Sequence, residues 1–345
     1  MARYSGPVLD QPAVLCDLLD AGLANDPDAD ALVCAEFTWS WRTLDGVTRR
    51  LAQSYSEYGL RPGDRFASLM PNRPRLIAHY IACFRSGLVA TPLNYRYTVA
   101  EIDHALQVSG ARALLVHTER EPDLADSRLA GQLALGRIGY PDRSSDGVSF
   151  DELMEGEPAA VELPRPESSD PAVIFFTSGS TGPPKGVTHT HQTVGWMLAI
   201  AAAGLELTAD DRLLAGSSLS HVGAFYVSFA ALSVGACAVV VQTFDGDELL
   251  PLLRDGGPTV LSMLPSALFA LTRDHGAQRQ DFASLRLCRA AGDCVSAELE
   301  REFAELTGLV IDEAYGLTET GLASVSPPSQ SGRPLQSDGA PSLIG

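Results

Sequence analysis

The sequence predicts an α/β fold made of parallel βαβ units, in two halves of similar design. Three observations predict it. Short apolar runs alternate along the chain with segments whose apolar residues recur at helical spacing. Gly- and Pro-containing turns separate them, as in parallel sheets covered by helices on both faces. The length, 345 residues, exceeds what a single core usually holds.

In the first half, Leu44, Val47, Leu51, Tyr55 and Tyr58 mark a helix stopped by Gly59. A turn at Arg61-Pro62-Gly63-Asp64 leads into a strand, Arg65-Phe66-Ala67-Ser68-Leu69-Met70. Ile77, Tyr80, Ile81 and Phe84 mark the next helix, and residues 88–92 read as a strand. Ile102, Ala105 and Leu106 mark a helix before Gly110, and Ala113-Leu114-Leu115-Val116 is again a strand. Residues 119–169 are more charged and read as surface elements and a connector. After Pro171 the alternation resumes, with strands expected at 172–176, 212–215, 236–241, 259–263, 285–290 and 310–315. Helices are expected near 222–234, 245–254, 265–273 and 296–307. The expected division is therefore 1–170 and 171–345. No short-period repeat is present, which argues against a solenoid.

Apolar residues make up 45% of the chain and charged residues 20%, an ordinary globular balance. The net charge of −18, from 25 basic and 43 acidic residues, repels phosphate backbones and argues against general nucleic-acid binding. An anionic ligand must then be met by local positive groups. The cysteines, Cys16, Cys34, Cys83, Cys237, Cys288 and Cys294, form no CxxC pair, and a disulfide framework is not expected. The stretch MARYSGPVLDQP lacks the apolar region of a signal peptide, and apolar runs such as 199–203 are too short to span a bilayer. A cytoplasmic enzyme is the expectation.

Chemistry concentrates in two motifs. After the apolar run 172–176 comes Thr177-Ser178-Gly179-Ser180-Thr181-Gly182-Pro183-Pro184-Lys185, expected to lead into a helical segment. Ligands of open α/β sheets bind at the carboxyl ends of strands. Gly179 and Gly182 permit close backbone approach. The hydroxyls of Thr177, Ser178, Ser180 and Thr181, successive N–H groups and the Lys185 charge suit a polyphosphate. A mobile Ser/Gly linker is the bland alternative, disfavoured by the two prolines. Lys185 stands between Pro184 and Gly186, so this is neither a Walker A loop nor a GxGxxG fingerprint. The second motif is Glu313-Ala314-Tyr315-Gly316-Leu317-Thr318-Glu319-Thr320-Gly321, also off a strand end. Thr318 offers a hydroxyl to a phosphate, Glu319 a hard carboxylate for Mg2+ and Tyr315 a ring. Alone, a Thr-Glu pair is more often a helix N-cap with a first-turn acid.

Together, Thr177 to Gly186 and Tyr315-Gly316-Leu317-Thr318-Glu319 resemble the adenylate-forming superfamily, which includes acyl-CoA synthetases, nonribosomal peptide synthetase adenylation domains and luciferases. Leu60 to Arg65, Met70-Pro71-Asn72, Ser86 to Asn94 and Glu101 to Gly110 resemble the same family, so the likeness runs through most of the chain. It implies two mainly parallel β-sheets flanked by helices in αβαβα layers, with the family's β-barrel incomplete and its small C-terminal domain absent. By resemblance, Thr177–Lys185 handles the ATP β- and γ-phosphates, Thr318 contacts the phosphate that becomes AMP, and Glu319 is the Mg2+ ligand. Lys185, Thr318 and Glu319 are thus the expected catalytic residues. Ala291-Gly292-Asp293 matches a Gly-Gly-x turn near the adenine and acyl sites, with Ala in place of the first Gly. Tyr315 and Gly316 flank the adenine. Ser220-His221-Val222-Gly223 resembles the segment whose His lies near the acyl pocket; a core or helix-start histidine is the competing reading. Substrate contacts are expected from His221, Phe225, Gly292, Tyr315 and Leu317, although apolar residues such as Phe225 are more commonly core.

The implied reaction is ATP-dependent activation of a carboxylic acid to an acyl-adenylate, then thioester formation on CoA or on the phosphopantetheine of an acyl carrier protein. Relatives that activate amino acids carry an Asp just before the position of His221. Ser220 here implies an acid without an α-amine, whether fatty, aryl or short. ATP and Mg2+ are the expected cofactors, and a homodimer is compatible with the sequence. The segment Ser342-Leu343-Ile344-Gly345 resembles the start of a longer family segment. The expectation is an N-terminal part of such a ligase, impaired in turnover without the family's C-terminal Lys. A non-catalytic nucleotide- or acyl-binding module is the alternative; a kinase-like phosphotransferase is disfavoured, since no Walker A or HRD-type loop is present.

Overall fold

A computed structural model of the chain describes residues 11–159, 163–177 and 183–325. The strands are β1 (Asp30–Val33), β2 (Thr38–Ser40), β3 (Arg65–Leu69), β4 (Val89–Pro92), β5 (Ala113–His117), β6 (Arg137–Tyr140), β7 (Val148–Ser149) and β8 (Pro171–Thr177). They continue as β9 (Lys185–Thr190), β10 (Arg212–Gly216), β11 (Cys237–Val239), β12 (Val260–Met263), β13 (Leu287–Ala291), β14 (Ile311–Leu317) and β15 (Gly321–Val325). One sheet has the order β7-β6-β5-β3-β4-β8-β9, and the other β15-β14-β13-β12-β10-β11-β1-β2. Every neighbouring pair is parallel except β1/β2, β8/β9 and β14/β15. Neither sheet closes into a barrel among the described residues.

The layers follow from which way alternate strand residues point. Phe66, Ala113, Leu115 and Phe175 of the first sheet and Leu213, Ala238, Val260 and Leu287 of the second belong to one central core. The helices Trp41–Glu57, Pro74–Arg85, His191–Gly204 and Val222–Ser233 supply the rest of it. The alternate residues Ala67, Leu114, Val116 and Ile174 face outward to the helix Val99–Ser109. On the far side, Leu214, Val239, Leu261 and Cys288 face the helices Gly246–Asp255, Pro265–Arg273 and Ala297–Thr307. The molecule is thus helix, sheet, helix, sheet, helix, as the resemblance implied. Strands buried on both faces explain why their sequences read as continuous apolar runs.

Capping agrees with the local sequence. Thr98 and Glu101 form a reciprocal capping box, and Gly110 ends that helix in the left-handed region at φ 61°. In the central layer, Phe225 stacks on Phe229 at 4.4 Å and meets Phe175 edge-on at 5.0 Å.

Two expectations need correction. Residues 119–169 are more than surface elements and a connector, because β6 and β7 extend the first sheet within them. The segment after Lys185 is first a strand, β9, and only then the helix His191–Gly204. In the sheets, β1 and β2 join the second sheet, and the β8–β9 hairpin edges the first.

Candidate active site

Both motifs are hairpin connections at the carboxyl ends of strands. Strands β8 and β9 pair with Thr177 opposite Lys185 and Phe176 opposite Gly186, so the two ends of the Ser/Gly-rich loop are held in register. Ser178, Gly179, Ser180, Thr181 and Gly182 lie outside the described residues. Lys185 is exposed at the mouth of the hairpin. His104, on the helix Val99–Ser109, donates from Nε2 to the Pro184 carbonyl at 2.8 Å. Next to it Gly186 is closely packed: a Cβ there would stand 3.1 Å from Ile174 Cγ2 and 3.5 Å from Val108 Cγ1.

Strands β14 and β15 are joined by the turn Thr318-Glu319-Thr320, with Leu317 opposite Gly321 and the Thr320 N–H donating to the Leu317 carbonyl at 3.2 Å. The helix N-cap reading of Thr318-Glu319 is therefore replaced by a three-residue hairpin turn. Gly321 has φ +66°, and a Cβ on Gly316 would lie 2.3 Å from the Gly321 carbonyl oxygen. Gly316 serves the hairpin itself, whereas Gly321 also lets the turn lie against the helix His191–Gly204, since a Cβ there would come within 2.6 Å of Met197 Cε. The turn leaves Glu319 exposed and Thr318 half-buried.

One contact joins the two hairpins. His189, buried on β9, has Nε2 2.8 Å from the Thr318 carbonyl. A carbonyl only accepts, so Nε2 carries the proton. The Lys185 hairpin of one sheet and the Thr318-Glu319 turn of the other are thereby neighbours.

Beside them, Ala291 pairs with Ala314 across β13 and β14, which sets the turn Gly292-Asp293 next to Tyr315. Gly292 has φ +93°, and a Cβ there would approach Leu264 Cδ2 to 2.8 Å. Asp293 is exposed and accepts from the Cys294 N–H at 2.8 Å. Tyr315, Leu317 and Leu264 are 52%, 47% and 40% exposed, an apolar rim at this end of the second sheet. His221 stands just before the helix Val222–Ser233, 3.5 Å from Asn94 Nδ2 beyond β4. It is solvent-accessible, yet enough protein surrounds it that desolvation lowers its imidazole pKa. Phe225, in contrast, is a core residue at 1% exposure, enclosed by Phe175, Phe229, Tyr80 and Phe84.

Two structural supports lie outside the expected site residues. His189 is one. Asn72 is the other: after β3, its Nδ2 donates to the Ser217 carbonyl at 2.9 Å and its Oδ1 accepts from the Leu219 N–H at 2.7 Å. It thus ties the end of a first-sheet strand to the segment after β10. For Asn72 the signal was a polar residue just beyond an apolar strand; His189 had none, because Lys185–Thr190 is mostly polar.

The AMP-binding enzyme model matches residues 19–343. The chain belongs to the AMP-binding enzyme family. It is 31% identical over 294 residues to a feruloyl-CoA synthase of Amycolatopsis sp, covering 85% of this chain and 57% of that one. It is 28% identical over 308 residues to the fatty acid–[acyl-carrier-protein] ligase ScoC of Streptomyces coeruleorubidus, covering 88% and 58%. Among solved structures it resembles apo MatB from Rhodopseudomonas palustris, with TM-score 0.80, 25% identity and coverage of 92% of this chain and 62% of that one. The chain therefore spans just under three fifths of the curated relatives it matches here. No helix of the described residues is long and apolar enough to cross a membrane.

Proposed function

We propose that this chain binds ATP and a carboxylic acid and belongs to a ligase that converts the acid to an acyl-adenylate. The observation that carries the proposal is the junction of the Lys185 hairpin with the Thr318-Glu319 turn through His189. On a chain of net charge −18, Lys185 and backbone donors provide the local positive field a polyphosphate needs. Lys185 steadies the β- and γ-phosphates, Thr318 offers its hydroxyl to the α-phosphate, and Tyr315 flanks the adenine with Gly316. The acid lies toward Gly292, Leu317 and His221, with Phe225 in the core on the helix that follows His221.

The residues fit Mg2+. Among the described residues no three Asp, Glu, His or Cys side chains converge as a protein-built metal cage. A single exposed carboxylate, Glu319, suits an ion that takes one or two carboxylates and completes its shell with phosphates and water. Bound there, Mg2+ would neutralise charge on the phosphates. The acid's carboxylate forms the new bond to the α-phosphorus as the bond to pyrophosphate breaks, so no protein nucleophile is required. Losing one preorganised donor in such a site costs on the order of 10²–10³ in rate.

The relatives favour a thioester as the product. Two are named feruloyl-CoA synthases, which supports CoA as acceptor; the ScoC relative supports an acyl carrier protein as the second reading. Ser220 before His221 supports an acid without an α-amine. The test is ATP–pyrophosphate exchange with a panel of aryl and aliphatic acids, run on this chain and on any longer form of it. Because the chain spans only part of its relatives, we expect measurable Mg·ATP binding and slow exchange from these 345 residues. Failure to bind Mg·ATP would overturn the proposal. Nucleotide binding that no acid converts to exchange in any form favours the non-catalytic module.

A further inference from the structure

We infer that His189 is a positioning residue that sets the Thr318-Glu319 turn against the strand that carries Lys185. The inference rests on the ATP site proposed above. His189 lies opposite Val173 on β9, four residues beyond Lys185, and is 4% exposed. Its ring packs edge-on against Phe175 at 6.1 Å centroid distance, so β8 and β9 both fix its orientation. Its Nε2–H reaches across to the Thr318 carbonyl at 2.8 Å, a contact between residues 129 apart in sequence.

The neighbouring contacts explain why one hydrogen bond matters. Within its own hairpin, the turn 318–320 is held by the Leu317–Gly321 pairing and the Thr320 N–H to Leu317 bond. Those bonds fix its shape; Gly321 also lies against Met197 of the helix that follows β9, but that contact is apolar and non-directional, so it does not hold the Thr318 peptide in one orientation. His104 fixes the far arm of the phosphate loop by donating to the Pro184 carbonyl. His189 alone of these contacts spans both motifs. Moving the Thr318 carbonyl moves the adjoining Glu319 with it, since the peptide linking them is planar. A carboxylate that completes the shell of a small octahedral ion tolerates little displacement. His189 therefore acts through Glu319, on the metal-dependent part of nucleotide binding.

Two polar isosteres separate the role from mere packing. Gln places an amide N–H near the position of Nε2, whereas Asn places it near Nδ1 and falls short of Thr318. Calorimetric titration of ATP in Mg2+ and in EDTA would be run on the whole chain for wild type, His189→Gln, His189→Asn and Glu319→Gln. We expect Mg2+ to tighten ATP binding of wild type and of His189→Gln. We expect His189→Asn and Glu319→Gln to lose most of that gain, about tenfold, with ATP affinity in EDTA unchanged. If Glu319→Gln loses the gain and His189→Asn keeps it, the inference is overturned while the site reading stands. Equal loss in His189→Gln and His189→Asn also overturns it, because the N–H at Nε2 is then not what matters. If wild type shows no gain, or Glu319→Gln retains it, the site reading falls and the inference with it.

Discussion

At the scale of single residues, Lys185 and Glu319 make the sharpest claims. Both side chains are exposed at hairpin ends, so replacing them removes charge without opening a cavity. We expect Lys185→Ala to weaken Mg·ATP binding by roughly 10- to 100-fold, the range for a hydrogen bond to a charged group, and Glu319→Gln by about tenfold, with melting temperature unchanged in both. Parallel calorimetry and thermal melts check this; unchanged affinity in both would remove them from the site. Asn72 makes a different claim, because it is buried and both of its bonds are to backbone. Asn72→Ala leaves the Ser217 carbonyl and the Leu219 N–H unpaired, at about 1–3 kcal/mol, readable as a shifted urea midpoint. Asn72→Asp keeps the acceptor but sets a carboxylate against the Ser217 carbonyl, so it should recover little of that loss.

At the scale of elements, the two hairpins were only half legible. The apolar run before Thr177 announced β8, but Lys185-Gly186-Val187-Thr188-His189-Thr190 carries no alternation that separates a strand from a helix start. It is a strand because β8 supplies an edge for it to pair with. The same holds for Gly321–Val325, which pairs with β14. The charged stretch holding β6 and β7 misled for a related reason: β6 is short, and its ends lie among ion pairs such as Arg137 with Glu121 and Asp146. A further element-scale device lies at the opposite ends of β10, β12 and β13. Buried Asp211 accepts from Arg286 Nε at 2.8 Å, from Thr259 Oγ1 at 2.6 Å and from the Thr208 N–H at 2.9 Å. Burial opposes its ionisation, but these hydrogen bonds and the guanidinium charge outweigh it and hold its pKa at about 2, below the ordinary 3.8. A depressed folded-state pKa gives stability that is fully present above about pH 4 and lost as pH falls toward 2. Asp211→Asn should lower stability at pH 7 by roughly 2 kcal/mol and flatten that acid limb, as seen in denaturant midpoints against pH.

At the scale of the whole molecule, the central helical layer is what the two sheets share, and His79 lies inside it. It is fully buried, its Nδ1 is 2.9 Å from Tyr55 Oη, and Phe66 meets its ring at 4.6 Å. Desolvation lowers its pKa to about 3, from an ordinary 6.5. Above pH 6.5 neither folded nor unfolded chain protonates it; below, the unfolded chain takes a proton that the folded chain refuses. Stability should therefore decline from about pH 6.5 downward, before Asp211 begins to contribute. His79→Gln should reduce the slope of midpoint against pH between about 6.5 and 4.5, whatever it does to stability at neutral pH. A slope equal to wild type would exclude His79 as the source.

By itself the sequence determined the α/β class, the order of most strands and helices, the family and the motifs expected to meet a nucleotide. Those are local matters: apolar runs, helical spacing, turn residues and a ten-residue pattern are written along the chain. Only the tertiary structure decided that the first motif joins paired antiparallel strands and the second is a hairpin turn, that Phe225 is core while Tyr315 and Leu317 are rim, and that His189 and Asn72 join segments from different sheets. Pairing edges, burial and contacts between residues more than a hundred positions apart depend on how the layers stack, and no local pattern encodes them.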